Sequence, residues 1–224
     1  MHLNLNLATS AAAFLAANAA GTGACPGFEP VADLDLDRYS GTWYEVTRDK
    51  DNKYETNQSC VLVDYSRVEG ESELTMTSYN QLFLEGWTTS TGKAYPSANG
   101  LKLEIDQIPD IAQRGTEPNY FVLATDYDNY SITFSCPRFP VFSKDFLWVQ
   151  SRTPTPSPEI LRKVRDIIAD ALPHYDFDEA VHHTYQGDDC KHHERFGASE
   201  EPKGFAFRAL PHSLSLMLSF RFLG

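Results

Sequence analysis

The sequence predicts an all-β chain: an eight-stranded antiparallel up-and-down barrel with one C-terminal α-helix packed outside it. Three observations predict this. Between residues 39 and 152, short runs rich in Val, Tyr, Phe, Thr and Ile alternate with clusters of Gly, Asn, Asp and Pro, the punctuation of antiparallel sheet. A single segment after them carries a helical apolar period. The 224 residues, 42% hydrophobic and 22% charged, suit one packed domain with extra terminal segments.

Residues 1–24 differ in kind from the rest. Ala8 to Ala20 is almost wholly small or apolar and is followed by Gly21, Thr22, Gly23 and Ala24. This reads as the apolar region of a signal peptide, with cleavage after Ala19 or after Ala24. The run is too short to span a bilayer. The expected organisation is therefore a leader over 1–24, a barrel domain over 25–190 and a tail over 191–224.

Eight candidate strands follow: Gly41 to Arg48, Cys60 to Val68, Glu73 to Gln81, Trp87 to Ala94, Leu101 to Ile105, Asn119 to Asp126, Ser131 to Cys136 and Phe146 to Arg152. Glu69-Gly70-Glu71 and Asp128-Asn129 are the clearest hairpin turns. A meander of eight such strands can close on itself, which removes exposed edges and leaves room for one small ligand.

The helix is expected over about 157–172. Ser157 can cap it, Pro158 suits the first position and Glu159 favours the dipole. Ile160, Leu161, Val164, Ile167, Ile168, Ala171 and Leu172 form its apolar stripe, which would pack on the barrel's outer surface, and Pro173 ends it. Beyond Cys190 the chain is polar to Gly204 and then apolar to Gly224. That tail faintly resembles a glycolipid-anchor signal, although His212 and Arg221 interrupt it; a disordered tail or one folded onto the barrel is the competing expectation.

Four cysteines, Cys25, Cys60, Cys136 and Cys190, are widely spaced and even in number. With an export signal they read as two disulfides, for which spacing leaves three connectivities open. The close cysteine pairs of zinc sites are absent from the sequence, and no metal site is expected. The adjacent histidines His182-His183 and His192-His193 lie in an acidic segment and read as exposed and incidental. Asn57 and Asn129 head sequons and are candidate glycosylation sites. The net charge of -12, without any basic stripe, excludes nucleic acid as a partner.

Three stretches carry more information than the strand pattern: Arg38 to Val46 with Gly41-Thr42-Trp43, Val122 to Tyr130 with Thr125-Asp126-Tyr127, and Phe146 to Arg152 ending on its arginine. In this order and at these strand positions they resemble the three signature regions of the lipocalin family, and within it the apolipoprotein D and bilin-binding branch. The resemblance covers about residues 25–190. It implies disulfides from Cys25 to Cys136 and from Cys60 to Cys190. It also implies that Arg152 lies across Trp43 at the closed end of the barrel, and that Gly41, Thr125, Asp126 and Tyr127 are structural.

The resemblance further implies an exported carrier of a small hydrophobic molecule, with no required cofactor beyond a bound chromophore or lipid as ligand. A cell-surface receptor or a membrane is the further partner class open to it; nothing in the sequence speaks to oligomeric state. With Trp43 facing inward, period-two alternation adds Glu45 and Thr47 on the first strand; with Arg152 at the base of the last strand, Phe146, Trp148 and Gln150 share its face. Family alignment adds Val61, Val63, Tyr65, Met76, Ser78, Tyr120, Val122, Ser131 and Thr133, with Trp87 as a candidate of undecided facing. This set is the aromatic and aliphatic lining of a small-molecule pocket, against the plainer reading that it fills a small barrel. Glu45 is the odd member: a carboxylate in an apolar cup calls for a partner, such as a ligand hydroxyl or amine or a water. The competing function is a lipocalin-fold enzyme of isomerase or de-epoxidase type, for which no acid–base pair has motif-level spacing.

Overall fold

The computed structural model describes residues 27–67, 70–82, 86–97, 99–106, 116–136 and 145–191. The leader, Cys25 and the chain from residue 192 onward, including His192 and His193, lie outside the described residues.

Eight antiparallel strands make the barrel: β1 (Gly41–Asp49), β2 (Gln58–Arg67), β3 (Leu74–Leu82), β4 (Gly86–Ser97), β5 (Gly100–Ile105), β6 (Tyr120–Thr125), β7 (Tyr130–Ser135) and β8 (Phe146–Ser151). Each pairs with the next, and β1 bonds both β8 and β2, which is the closure of an up-and-down barrel. The expected strands are all present. Five short elements had no periodicity long enough to announce them. These are α1 (Leu36–Tyr39), a 3-10 turn at Lys53–Glu55, α3 (Phe177–Ala180), β9 (Val181–His183) and a 3-10 turn at Asp188–Cys190.

The long helix α2 (Pro158–Ala171) begins where Ser157 Oγ accepts from the Ile160 amide at 3.3 Å. Val164, Ile168 and Leu172 are fully buried against the outward side chains of β7 and β8, namely Ile132, Phe134, Leu147 and Val149. Leu161 departs from the expected stripe and is 40% exposed. Because α2 covers one face of these two strands and the barrel interior the other, β7 is buried along nearly its whole length.

A second core fills the inside. Tyr39, Trp43, Val63, Tyr65, Leu74, Met76, Leu101, Tyr120 and Val122 pack together, and Val31, Leu34 and Leu36 close over them from the N-terminal segment. Arg152 seals this end, with its guanidinium carbon 3.6 Å from the centre of the Trp43 ring. The Arg152 nitrogens donate to the carbonyls of Tyr127, Thr42, Arg38, Tyr39 and Ser40 at 2.8 to 3.2 Å. Gly41 sits beside this plug at φ +91°, a conformation that a side chain would strain.

The turn between β6 and β7 is built by its own side chains. Asp126 accepts from the amides of Asp128, Asn129 and Tyr130 and from the Asn129 side chain, while Thr125 Oγ1 accepts from the Tyr127 amide. Burial alone would raise the Asp126 pKa, but these donors outweigh it and hold the carboxylate below its ordinary range. Asn129 and Asn57 are both exposed.

The seam between β1 and β2 is interrupted. β1 and β2 pair only from Gly41↔Tyr65 to Tyr44↔Leu62; beyond that β9 takes the vacated edge, with Thr47 opposite His183 and Asp49 opposite Val181. The Gln186 amide then bridges the gap by donating to both Glu45 O at 2.9 Å and Val61 O at 2.6 Å. The Cys60–Cys190 disulfide ties down the far end of this strap, closing a loop with a sequence separation of 130. Cys136 is buried and is not a free thiol.

Candidate functional site

Above the Trp43 floor the inward side chains leave a cavity of about 210 Å³. Tyr54 lines it and is 50% exposed, so the cavity reaches solvent at the end carrying the β1–β2 connection. The volume is below the roughly 300 to 1,000 Å³ of typical ligand pockets, so one end of a bound molecule would emerge at this mouth.

Aromatic rings run from floor to mouth. Tyr39 stacks near both Trp43 and Tyr65, at centroid distances of 5.4 and 5.2 Å. The Tyr65 and Tyr120 hydroxyls share a hydrogen bond of 3.0 Å, and Tyr120, Trp148, Phe146 and Tyr54 follow in steps of 6.1, 6.0 and 6.4 Å. Burial pushes the phenols of Tyr39, Tyr65 and Tyr120 above their ordinary range, so all three are neutral hydrogen-bonding groups at physiological pH.

The polar groups concentrate near the mouth. Glu45 is buried and paired with Arg48 Nη1 at 2.5 Å, and the Thr184 hydroxyl of the strap donates to the same carboxylate. Arg48 Nη2 donates to the carbonyls of Glu55 and Gln58 at 2.8 and 3.1 Å. A buried ion pair of this kind is tolerated because its hydrogen bonds are satisfied. Glu55 stands differently. Its Oε2 accepts from Trp148 Nε1 at 2.8 Å and from the Asn52 amide at 2.7 Å, but no cation is bonded to its carboxyl among the described residues. Desolvation, and then the charge of Glu45, push its pKa up to about 8 against the opposing pull of Trp148 and Arg48. Desolvation and the neighbouring charge therefore both favour the protonated, neutral form of Glu55.

Of the residues expected on the ligand-facing wall, Glu45, Val61, Val63, Tyr65, Met76, Tyr120, Phe146, Trp148 and Gln150 line this cavity. Ser78 lines it too. Val122 points inward but is packed in the floor, below the open space, and Thr133 is fully buried in the wall without reaching the cavity. Trp87 has the opposite parity to the cavity-lining Ser90 on β4, and it is not on the wall. Thr47 is displaced by a bulge between Glu45 and Thr47, which turns Arg48 rather than Thr47 toward Glu45. The partner of Glu45 is thus Arg48.

Sequence reasoning missed Asn52, Tyr54, Glu55 and Gln58, which come from a connection with no periodicity, and also Asn80, Ser90, Leu103, Ile105, Asn119 and Ser135. Asn80 and Ser135 were reachable by extending the alternation from Ser78 and Thr133 by two residues. Among the described residues no cluster of His, Cys, Asp or Glu could hold a metal ion, and His182 and His183 lie on β9 against β1.

Comparison with known proteins is consistent across sequence and structure. A family model for the lipocalin-like domain matches residues 34–184. Apolipoprotein D of Mus musculus is 29% identical over 148 residues, covering 65% of this chain and 75% of its own. The outer membrane lipoprotein Blc of Citrobacter freundii is 32% identical over 163 residues, 70% of this chain and 84% of its own. The solved structure of insecticyanin from the tobacco hornworm Manduca sexta matches with a TM-score of 0.58 at 20% identity, over 75% of this chain and 89% of that one, a likeness of fold.

Proposed function

The chain belongs to the lipocalin family, whose members bind small hydrophobic ligands, and from that premise we propose that it is an exported carrier holding one such molecule in the barrel cavity. The ligand classes that suit the wall are tetrapyrrole, carotenoid, retinoid, sterol and fatty acid. The observation that carries the proposal is the aromatic path from Trp43 to Tyr54 around a cavity open at one end. Flat or elongated apolar molecules gain both burial and ring contact there.

Export is supported by the apolar leader over 1–24 and by the Cys60–Cys190 disulfide, which persists in oxidising compartments. No helix among the described residues is long and apolar enough to cross a membrane. Attachment through a C-terminal glycolipid is the alternative location, with glycosylation at Asn57 and Asn129 on exposed surface.

The carrier reading is preferred over an isomerase or de-epoxidase because the cavity offers a single unpaired acid. Glu55 is poised to donate a proton, but its neighbour Glu45 is committed to Arg48 and Thr184 and cannot serve as its base.

Native mass spectrometry and an absorption spectrum of the protein isolated from its own source test the proposal. A stoichiometric bound lipid or chromophore is expected. An empty protein that also fails to quench with any of the five ligand classes would overturn the carrier reading.

A further inference from the structure

The polar groups on the cavity wall are acidic or neutral. Glu45 and Glu55 line it, whereas no Lys, Arg or His does so among the described residues. Arg48 lies behind the wall with its donors directed to Glu45, Thr184 and two backbone carbonyls. Directly across from Glu45 on β8, Gln150 is 3% exposed, and its amide oxygen Oε1 has no hydrogen-bond partner among the described residues. That oxygen belongs to a side chain on the wall whose amide also interacts with the Tyr65 and Tyr120 hydroxyls, leaving Oε1 as its open acceptor. A buried acceptor without a donor is a costly feature for a fold to keep, unless a guest molecule brings the hydrogen.

We propose that the cavity selects uncharged lipid alcohols over carboxylates of the same skeleton, with the ligand hydroxyl donating to Gln150 Oε1. This rests on the carrier reading and specifies its ligand class. A hydroxyl supplies the missing hydrogen and carries no charge into the barrel. A carboxylate at neutral pH has no hydrogen to give and must shed its water with no cation waiting on the described wall. The protein's own carboxyl reports the same field: beside Glu45 and out of water, Glu55 holds its proton up to about pH 8. A ligand carboxylate placed near it would be disfavoured for the same two reasons.

The test is a titration of the folded wild-type chain at pH 7.4, read by tryptophan fluorescence, with two matched pairs: all-trans-retinol against all-trans-retinoate, and hexadecanol against hexadecanoate. In each pair the alcohol is expected to bind about tenfold more tightly or better. In Gln150→Leu, or in Gln150→Met should the leucine variant unfold, that advantage shrinks to about threefold or less, because the acceptor is gone. Acids that bind as tightly as alcohols, or an alcohol advantage unchanged in the Gln150 variants, overturn the selectivity and leave the carrier reading standing. Failure of both members of both pairs, together with the other hydrophobic classes, overturns the carrier reading and the selectivity with it.

Discussion

The Trp148 indole nitrogen donates to the Glu55 carboxyl across 2.8 Å, joining the turn at the cavity mouth to β8. This bond couples the most perturbed acid of the site to a fluorophore on the cavity wall. Ionisation of Glu55 therefore has an optical readout. Wild-type emission from Trp148 is expected to titrate with a midpoint near the value of about 8 set by desolvation and Glu45. The transition disappears in both Glu55→Gln and Trp148→Phe, as a pH series on the three proteins will record.

The same residue makes stability depend on pH. The folded pKa of Glu55 is raised to about 8 from an ordinary 4.5, so its contribution is fully present below about 4.5 and is lost as the pH rises through about 8. One pKa unit corresponds to about 1.4 kcal/mol, so even part of this displacement is measurable. Thermal unfolding from pH 4 to pH 9 is expected to lose stability more steeply in the wild type than in Glu55→Gln.

Arg152 joins the indole face of Trp43 to five backbone carbonyls at the closed end. Arg152→Ala is expected to cost about 2 to 4 kcal/mol, since it removes a cation–π contact and leaves part-buried carbonyls short of donors. Arg152→Lys recovers only part, because an ammonium cannot fork across several acceptors. Urea unfolding of the three proteins gives the ranking.

The strap between β1 and β2 depends on Cys60–Cys190. Cys190→Ser is expected to destabilise the chain by about 2 to 5 kcal/mol. The loss should be local first. The Cys60 amide, which donates to Tyr185 O, and the Thr184 amide, which donates to Val46 O, will exchange faster than amides of the β3–β4 ladder. Hydrogen exchange resolved by residue checks this order.

Much of the barrel was legible because its strands have two different faces. Tyr130, Ile132 and Phe134 alternate with Ser131, Thr133 and Ser135, and the first set meets the helix while the second faces inward. What escaped was whatever breaks period two. The bulge after Glu45 turns Arg48 toward Glu45, and one inserted residue cannot be read from hydrophobicity. Glu55 and Tyr54 sit in a 3-10 turn of three residues, too short for any pattern, yet they form the mouth. Val122 illustrates another limit: alternation gives its direction but not its depth, and it lies in the floor rather than on the cavity wall.

If a ligand occupies the space between Tyr65, Trp148 and Ser78, then filling that space must exclude it. The most direct measurement is a binding titration, read by native mass spectrometry, of wild type and Ser78→Trp with the ligand recovered from the native protein. The wild type is expected to bind one molecule per chain. Ser78→Trp, with an unchanged unfolding midpoint, is expected to lose about tenfold or more in affinity. Equal binding by both proteins would place the ligand elsewhere and contradict a carrier that works through its barrel cavity.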